Sequence, residues 1–320
     1  MPKIAVLGLG SIGMRHARNL MALGCDVTGY DPMPERRASV AGIGGQVEDN
    51  RERAIAAAEA VAVCSPNANH LDDLAAAVAA GKSSFVEKPL AHTDGGVEAI
   101  LADAERRGLR VAVGFNLRHH PVVQAAKKLI DGATLGRVLW GRFVIGSYLP
   151  DWRPGSDYRR GYAADPRTGG VIFDAIHEFD LAQFLLGKAD VVAAVARRTG
   201  MLDIPSEDCA DALLRHAGGA VSSIHLDYVT RPPVRGSEIA FERGFARLDL
   251  IGRRFVVAAA DNTIIADESF LGSDADDYVS EMREFLACLS GQGRPTCDGR
   301  EGLAVLRLAL GARRLAALPE

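Results

Sequence analysis

Asp174, His177, Glu178 and Asp180 crowd into the last seven residues of an otherwise apolar stretch, GGVIFDAIHEFD at 169–180. A carboxylate beside an imidazole fixes the ring tautomer and raises its pKa, which could make this a reactive site. A helix turns about 100° per residue, so a helix over this stretch places one aspartate a turn before His177 and another a turn after. Apolar residues fill most of the remaining circumference, which predicts a buried helix whose charges need partners. Asp174 and Glu178, at i and i+4, repel unless a cation stands between them, and Lys88 or an arginine of the preceding loop is the expected cation. A satisfied core histidine is the plainer reading of His177. Metal binding is not expected, because the chain has no HExxH and its five cysteines never fall as CxxC.

A second kind of chemistry is written into KIAVLGLGSIGMRHARNL. Gly8, Gly10 and Gly13 stand in G-x-G-x-x-G register after a predicted strand and at the start of a predicted helix. Gly8 would permit the tight turn, Gly10 the approach of a pyrophosphate, and Gly13 close packing of helix on strand. Backbone N–H groups at Ser11 and Ile12 would then hold the anion. The next strand ends in Asp31, 18 residues after Gly13, near the spacing of the acid that binds an adenosine ribose. An acid there favours NAD, while Arg36 and Arg37 keep NADP open.

SSFVEKPL places Glu87 and Lys88 at the end of another predicted buried strand, where ligands of parallel sheets bind. An ammonium there could donate to a reacting oxygen, with partial burial tuning its pKa. A solvated lysine before a turn-forming proline is the alternative. One strand earlier, CSPNANHL makes a turn of Ser65, Pro66 and Asn67 with His70 just inside the next helix. Those groups could reach a cofactor ribose, or His70 could simply start the helix. GFNLRHH ends a later strand, where Asn116 and Arg118 could face nicotinamide or substrate; His119 and His120 read as surface residues. The long loop YLPDWRPGSDYRRGYAADPRTGG carries Trp152, Arg153, Tyr158, Arg159, Arg160, Tyr162 and Arg167. Forked guanidinium groups and a stacking indole suit an anionic or polyhydroxylated substrate, with a surface or interface loop as the alternative.

These residues need elements to position them. The first third alternates short β-branched runs with amphipathic segments, which argues for a parallel sheet with helices on both faces. Beyond about residue 120, several strand-like stretches bunch together (DVVAAVARR, CADALLRH, AVSSIHLDYV, SEIAFE, FARLDLI and RFVVAAA), predicting an α+β unit with an antiparallel sheet. Two helical patterns, from DADDYVSEM and GREGLAVL onward, close the chain. With 320 residues, 48% hydrophobic and 24% charged, two globular domains are expected. A net charge of -4 offers no footprint for nucleic acid. No apolar run is long enough to span a bilayer and the N-terminus lacks a signal-peptide pattern, so no membrane partner and a cytoplasmic setting are expected. The scattered cysteines read as reduced structural thiols.

Five pieces recur in order: GLGSIGMRH at 8–16, CSPNANH at 64–70, EKP at 87–89, GFNLRHHP at 114–121 and GGVIFDAIHEFD at 169–180. Together they make the chain resemble the Gfo/Idh/MocA family of nicotinamide-dependent oxidoreductases. The resemblance implies a dinucleotide-binding Rossmann domain over 1–120. Over 121–320 it implies a substrate-binding and oligomerisation α+β domain with a large, mostly antiparallel sheet. It implies hydride transfer between NAD(P) and a secondary alcohol or ketone of a sugar, polyol or sugar-acid derivative, in a homodimer or homotetramer. Lys88 would touch the substrate hydroxyl, before a proline that is often cis, and His177 would share the proton transfer. Many members carry the acidic partner four residues before that histidine, where Phe173 stands here. Asp174 sits three before and could orient His177 or bind substrate. Two other activities occur among relatives: glycoside hydrolysis by oxidation and elimination, and catalytically silent cofactor sensing. Retention of Lys88 and His177 argues against the sensor.

Overall fold

The structure is a computed structural model that describes residues 1–153 and 155–319. Its first part follows the predicted alternation: β1 (Lys3–Leu7), α1 (Ser11–Ala22), β2 (Asp26–Tyr30), α2 (Pro34–Ala41), β3 (Gln46–Glu48), α3 (Arg51–Ala57), β4 (Ala60–Val63), α4 (His70–Ala79), β5 (Ser83–Glu87), α5 (Val97–Arg106) and β6 (Val111–Gly114). The strands are all parallel, in the order β3-β2-β1-β4-β5-β6. That is the doubly wound dinucleotide-binding order, which reverses between β1 and β4. Helices on both faces bury β4 completely, so its residues run as an unbroken apolar AVAV. The short β3 has no such run and leaves no periodic signal.

The second part begins with α6 (Pro121–Asp131) and β7 (Val138–Gly146), then α7 (Val171–Asp174) and α8 (His177–Leu186). Strands β8 (Ala189–Arg197), β9 (Cys209–His216), β10 (Val221–Asp227), β11 (Val234–Phe241), β12 (Gly244–Asp249), β13 (Arg254–Ala259) and β14 (Ile264–Ser269) follow. They form an eight-stranded sheet ordered β14-β13-β12-β11-β7-β10-β9-β8, antiparallel except where β7 pairs with β10. Alternation separates its faces: Ala210, Ala212 and Leu214 of β9 are buried, while Asp211 and Leu213 between them are exposed. Helix α8 packs on β7 and β10.

Three expectations change here. The helix expected through 169–180 is broken: Ala175 leaves helical dihedrals at φ -95°, ψ 29°, so His177 begins a new helix. His120 is buried rather than on the surface. Its Nδ1 accepts from the Val122 N–H at the start of α6, and its Nε2 lies 3.2 Å from the Leu250 carbonyl. The division at residue 120 also moves. Two helices close the chain, α9 (Asp274–Leu289) and α10 (Gly299–Leu315). By compactness one unit is Met1–Asn116 with Asp274–Leu306, and the other is Leu117–Ser273 with the chain from Arg307 onward. The reason is the apolar stripe of α9. Met282 and Phe285 enter the same core as Phe85 and Ala112, with the Phe85 and Phe285 rings 5.9 Å apart. An amphipathic pattern tells which face of a helix is buried, not which sheet buries it.

Phe285→Ala should therefore destabilise the first unit by about 3–5 kcal/mol in urea denaturation, through lost transfer energy and the cavity left behind. An unchanged midpoint would remove α9 from that core.

Candidate active site

In the first unit, five predicted positions follow five parallel strands at their carboxyl ends: Gly8 after β1, Asp31 after β2, Ser65 after β4, Lys88 after β5 and Asn116 after β6. Gly8 adopts φ +86°, and a Cβ on it would lie 2.4 Å from Ser65 Cα. A Cβ on Gly13 would lie 1.9 Å from the Gly8 carbonyl oxygen, so neither position admits another residue without backbone movement. Gly10 differs, because a Cβ there would meet nothing within 4 Å. The open side lies where α1 starts, with no capping side chain and no acid in its first turn. Ser11, Ile12 and Gly13 thus present first-turn N–H groups suited to a pyrophosphate.

Asp31 is buried. It accepts from Leu9 N at 2.8 Å and Met33 N at 3.0 Å, with Arg36 Nη1 at 3.4 Å. A carboxylate offers about four acceptor positions, so these donors leave capacity for a ribose hydroxyl. Arg37 holds the Asp31 carbonyl oxygen at 2.6 Å. The residues present therefore fit a dinucleotide.

The remaining polar groups of this unit turn inward. The Ser65 hydroxyl donates to Asp73 at 2.7 Å, and Asn67 is buried in a turn after Pro66. His70, an expected cofactor contact, is also buried: Nδ1 lies 2.7 Å from the Pro89 carbonyl oxygen and Nε2 2.7 Å from that of Ser65. Both bonds at once need both nitrogens protonated. Burial opposes that charge and lowers the pKa, against the raising influence of the two carbonyls and of Glu87 and Asp73. Glu87, expected on the cofactor, instead holds His16 Nε2 at 2.6 Å and accepts from Lys88 N at 3.0 Å. Burial acts to raise the pKa of Glu87, but His16 and Lys88 outweigh it and the group stays ionised. Glu281 of α9 lies 3.9 Å from the same His16 nitrogen, and burial beside Glu87 pushes its carboxyl well above the usual range. The Lys88–Pro89 bond is cis.

In the second unit, the acids of the opening stretch find partners from distant strands and loops. Asp174 accepts from the hydroxyls of Tyr162 and Tyr228, the latter at 3.0 Å. Burial, with the Asp174 charge beside it, holds the Tyr228 phenol well above its ordinary pKa. Asp180, expected to bracket His177, takes the buried Arg118 instead, with Nη2 at 2.7 Å and Nε at 3.0 Å from Oδ1. Arg118 also stacks 4.8 Å over the Phe184 ring, which turns an expected substrate ligand into the cation of an internal pair. Glu178 takes Arg235 of β11, a strand cation the local spacing does not announce, at 2.9 Å. His177 is buried at the first position of α8.

Of the loop residues, Trp152 lies edge-on to Tyr228 at 5.5 Å, which brings it near the Asp174 cluster. Arg153 is exposed nearby in sequence. Arg159 folds back on Asp157 at 2.8 Å, and the Tyr158 hydroxyl accepts from Asp203 N. Tyr228, Arg235, His16 and Glu281 escape sequence reasoning. Only His16 had a signal, as the end of GLGSIGMRH.

Comparison with known proteins bears on both units. Residues 2–115 match the oxidoreductase family with an NAD-binding Rossmann fold, and residues 123–247 match the GFO/IDH/MocA C-terminal domain. The chain is 28% identical to inositol 2-dehydrogenase of Rhizobium meliloti, over 98% of this chain and 96% of that protein. It is 35% identical to levoglucosan dehydrogenase of Pseudarthrobacter phenanthrenivorans, over 80% and 68%. The solved structure of UDP-N-acetylglucosamine 3-dehydrogenase from Acidithiobacillus ferrooxidans matches with a TM-score of 0.81 at 25% identity, over 99% of this chain and 98% of that one.

Removing one partner of a buried pair leaves an uncompensated charge, so Asp180→Ala should cost about 3–5 kcal/mol of stability. Adding Arg118→Met should recover part of that loss in urea denaturation. A double variant no more stable than the single one would deny that Arg118 is paired with Asp180.

Proposed function

The chain belongs to the Gfo/Idh/MocA family of oxidoreductases, and from that premise we propose that it interconverts a secondary alcohol and a ketone on a sugar, polyol or sugar-acid derivative. NAD is the favoured dinucleotide. The observation that carries this reading is the alignment of the Gly8–Gly13 turn, Asp31 and Lys88 at the carboxyl ends of one parallel sheet. The first turn of α1 would hold the pyrophosphate and Asp31 the adenosine ribose. The Asp31 charge disfavours a 2′-phosphate, although Arg36 beside it keeps NADP as the second dinucleotide to test. When bound, NAD supplies the hydride acceptor.

Lys88 donates a hydrogen bond from its ammonium to the reacting oxygen, and His177 takes the hydroxyl proton in oxidation and returns it in reduction. Asp174, held by two tyrosine hydroxyls, orients His177 or receives a second substrate hydroxyl. Trp152 offers a face to a sugar ring. The relatives' names, dehydrogenases of inositol, levoglucosan and a nucleotide sugar, support a polyhydroxylated substrate.

The outward face of the eight-stranded sheet supports a homodimer or homotetramer. It exposes Trp140, Val195, Leu213 and Val221, with Trp140 packed on Phe245 at 5.7 Å. All five cysteines are free, which supports a reducing, cytoplasmic setting. No described helix is long and apolar enough to cross a membrane.

A panel of sugars, polyols and glycosides, followed for both reduced nicotinamide and released aglycone, tests the activity. Net NADH supports the dehydrogenase, aglycone without NADH supports the hydrolase, and silence with tight NAD binding supports a sensor. Lys88→Ala and His177→Ala should each lower kcat by at least about 100-fold while NADH still binds. Turnover unaffected in both would sink the mechanism. By light scattering the mass should be two or four times 34.0 kDa, and Trp140→Glu should shift it toward one.

A further inference from the structure

Lys88 can serve a reacting oxygen only if the turn that carries it is held still. Its own N–H is held by Glu87 Oε2 at 3.0 Å, and Glu87 Oε1 is held by His16 Nε2 at 2.6 Å. On the far side of Lys88, the carbonyl of Pro89 is held by His70 Nδ1 at 2.7 Å. The other nitrogen of that ring reaches back 2.7 Å to the Ser65 carbonyl. Ser65 in turn lies against the glycine turn so tightly that a Cβ on Gly8 would come within 2.4 Å of its Cα. The His70 ring is only 2% exposed, so water does not replace either bond if the ring is lost.

We propose that His70 is a positioning residue that couples the seat of the dinucleotide to the seat of Lys88. A pyrophosphate settled beside Gly10 steadies the Gly8 turn, the Gly8 turn steadies Ser65, and His70 carries that position to Pro89, next to Lys88. From the Gly8 turn to Pro89, each protein link lies within the first unit. Because both ring nitrogens face carbonyl oxygens, the ring acts on the protein backbone and leaves the ribose to other groups. A misplacement of about 1 Å at a catalytic group costs on the order of 100-fold in rate, so a brace of this kind has measurable weight. The proposal rests on Lys88 being the hydrogen-bond donor to the reacting oxygen.

The test compares His70→Phe, His70→Asn and His70→Gln with wild type. Each is measured for kcat on the best substrate of the panel and for NADH affinity by fluorescence titration. Phe removes both ring nitrogens, and with them whichever one carries the proton. Asn places its amide nitrogen where Nδ1 stood, facing Pro89, and Gln places its own where Nε2 stood, facing Ser65. His70→Phe should lower kcat about 100-fold while NADH affinity changes by less than about tenfold. Asn should restore most of kcat, whereas Gln should restore NADH affinity more than kcat. A merely structural histidine would not split the two parameters between these variants. Wild-type kcat in His70→Phe, or equal kcat in Asn and Gln, overturns the proposal; if Phe does not fold, the Asn and Gln comparison decides. Lys88→Ala in the same assay separates the premises. Its retained turnover rejects the role of Lys88, whereas its loss together with an active His70→Phe rejects only the coupling.

Discussion

Burying charge in a poorly polarisable interior is the constraint that most of this structure answers. A carboxylate taken out of water without donors around it costs several kcal/mol, more than a domain can absorb many times over. Each acid of the opening stretch meets the constraint in its own way. Asp174 takes two tyrosine hydroxyls, Glu178 takes Arg235, and Asp180 takes Arg118. Inside the first unit Glu87 stays ionised on His16, while burial pushes Glu281 toward its protonated form. Placing a proton on one of two neighbouring buried acids is cheaper than ionising both.

A steric constraint works beside the electrostatic one. The glycine turn is pressed between β1, α1 and the Ser65 turn, at separations that leave no room for a Cβ at Gly8 or Gly13. Gly10 alone faces open space. The glycine register thus reports two kinds of closeness, protein on protein at its ends and protein on ligand in its middle. The same compactness is what lets one histidine side chain bridge two neighbouring turns of the first unit.

Much of the site was legible because its signals are local. The strand, glycine turn and helix from Lys3 to Ala22, Asp31 at the next strand end and Lys88 at another all follow from short periodic patterns and turn residues. The failures have one source. Spacing alone brackets His177 between Asp174 and Asp180 on a continuous helix, but the helix breaks at Ala175 and Asp180 turns to Arg118, 62 residues earlier. Arg235 lies 57 residues from Glu178 and sits in a strand whose pattern announces only burial and exposure. His70 and Glu87 were placed correctly along the chain, but nothing in their neighbourhoods told which way their polar atoms would face.

By itself the sequence determined the two architectures, the order of the parallel strands' chemistry and the family whose motifs those residues carry. These depend on periodicity and turn chemistry within a window of a few residues, where each side chain's face is set by the backbone repeat. Only tertiary structure decided that Asp274–Leu306 returns to the first core, that Arg118 serves Asp180, and that His70 clasps two backbone turns. Such pairings are selected by desolvation and packing between segments far apart in the chain, and no local pattern encodes which of several competent partners will be nearest.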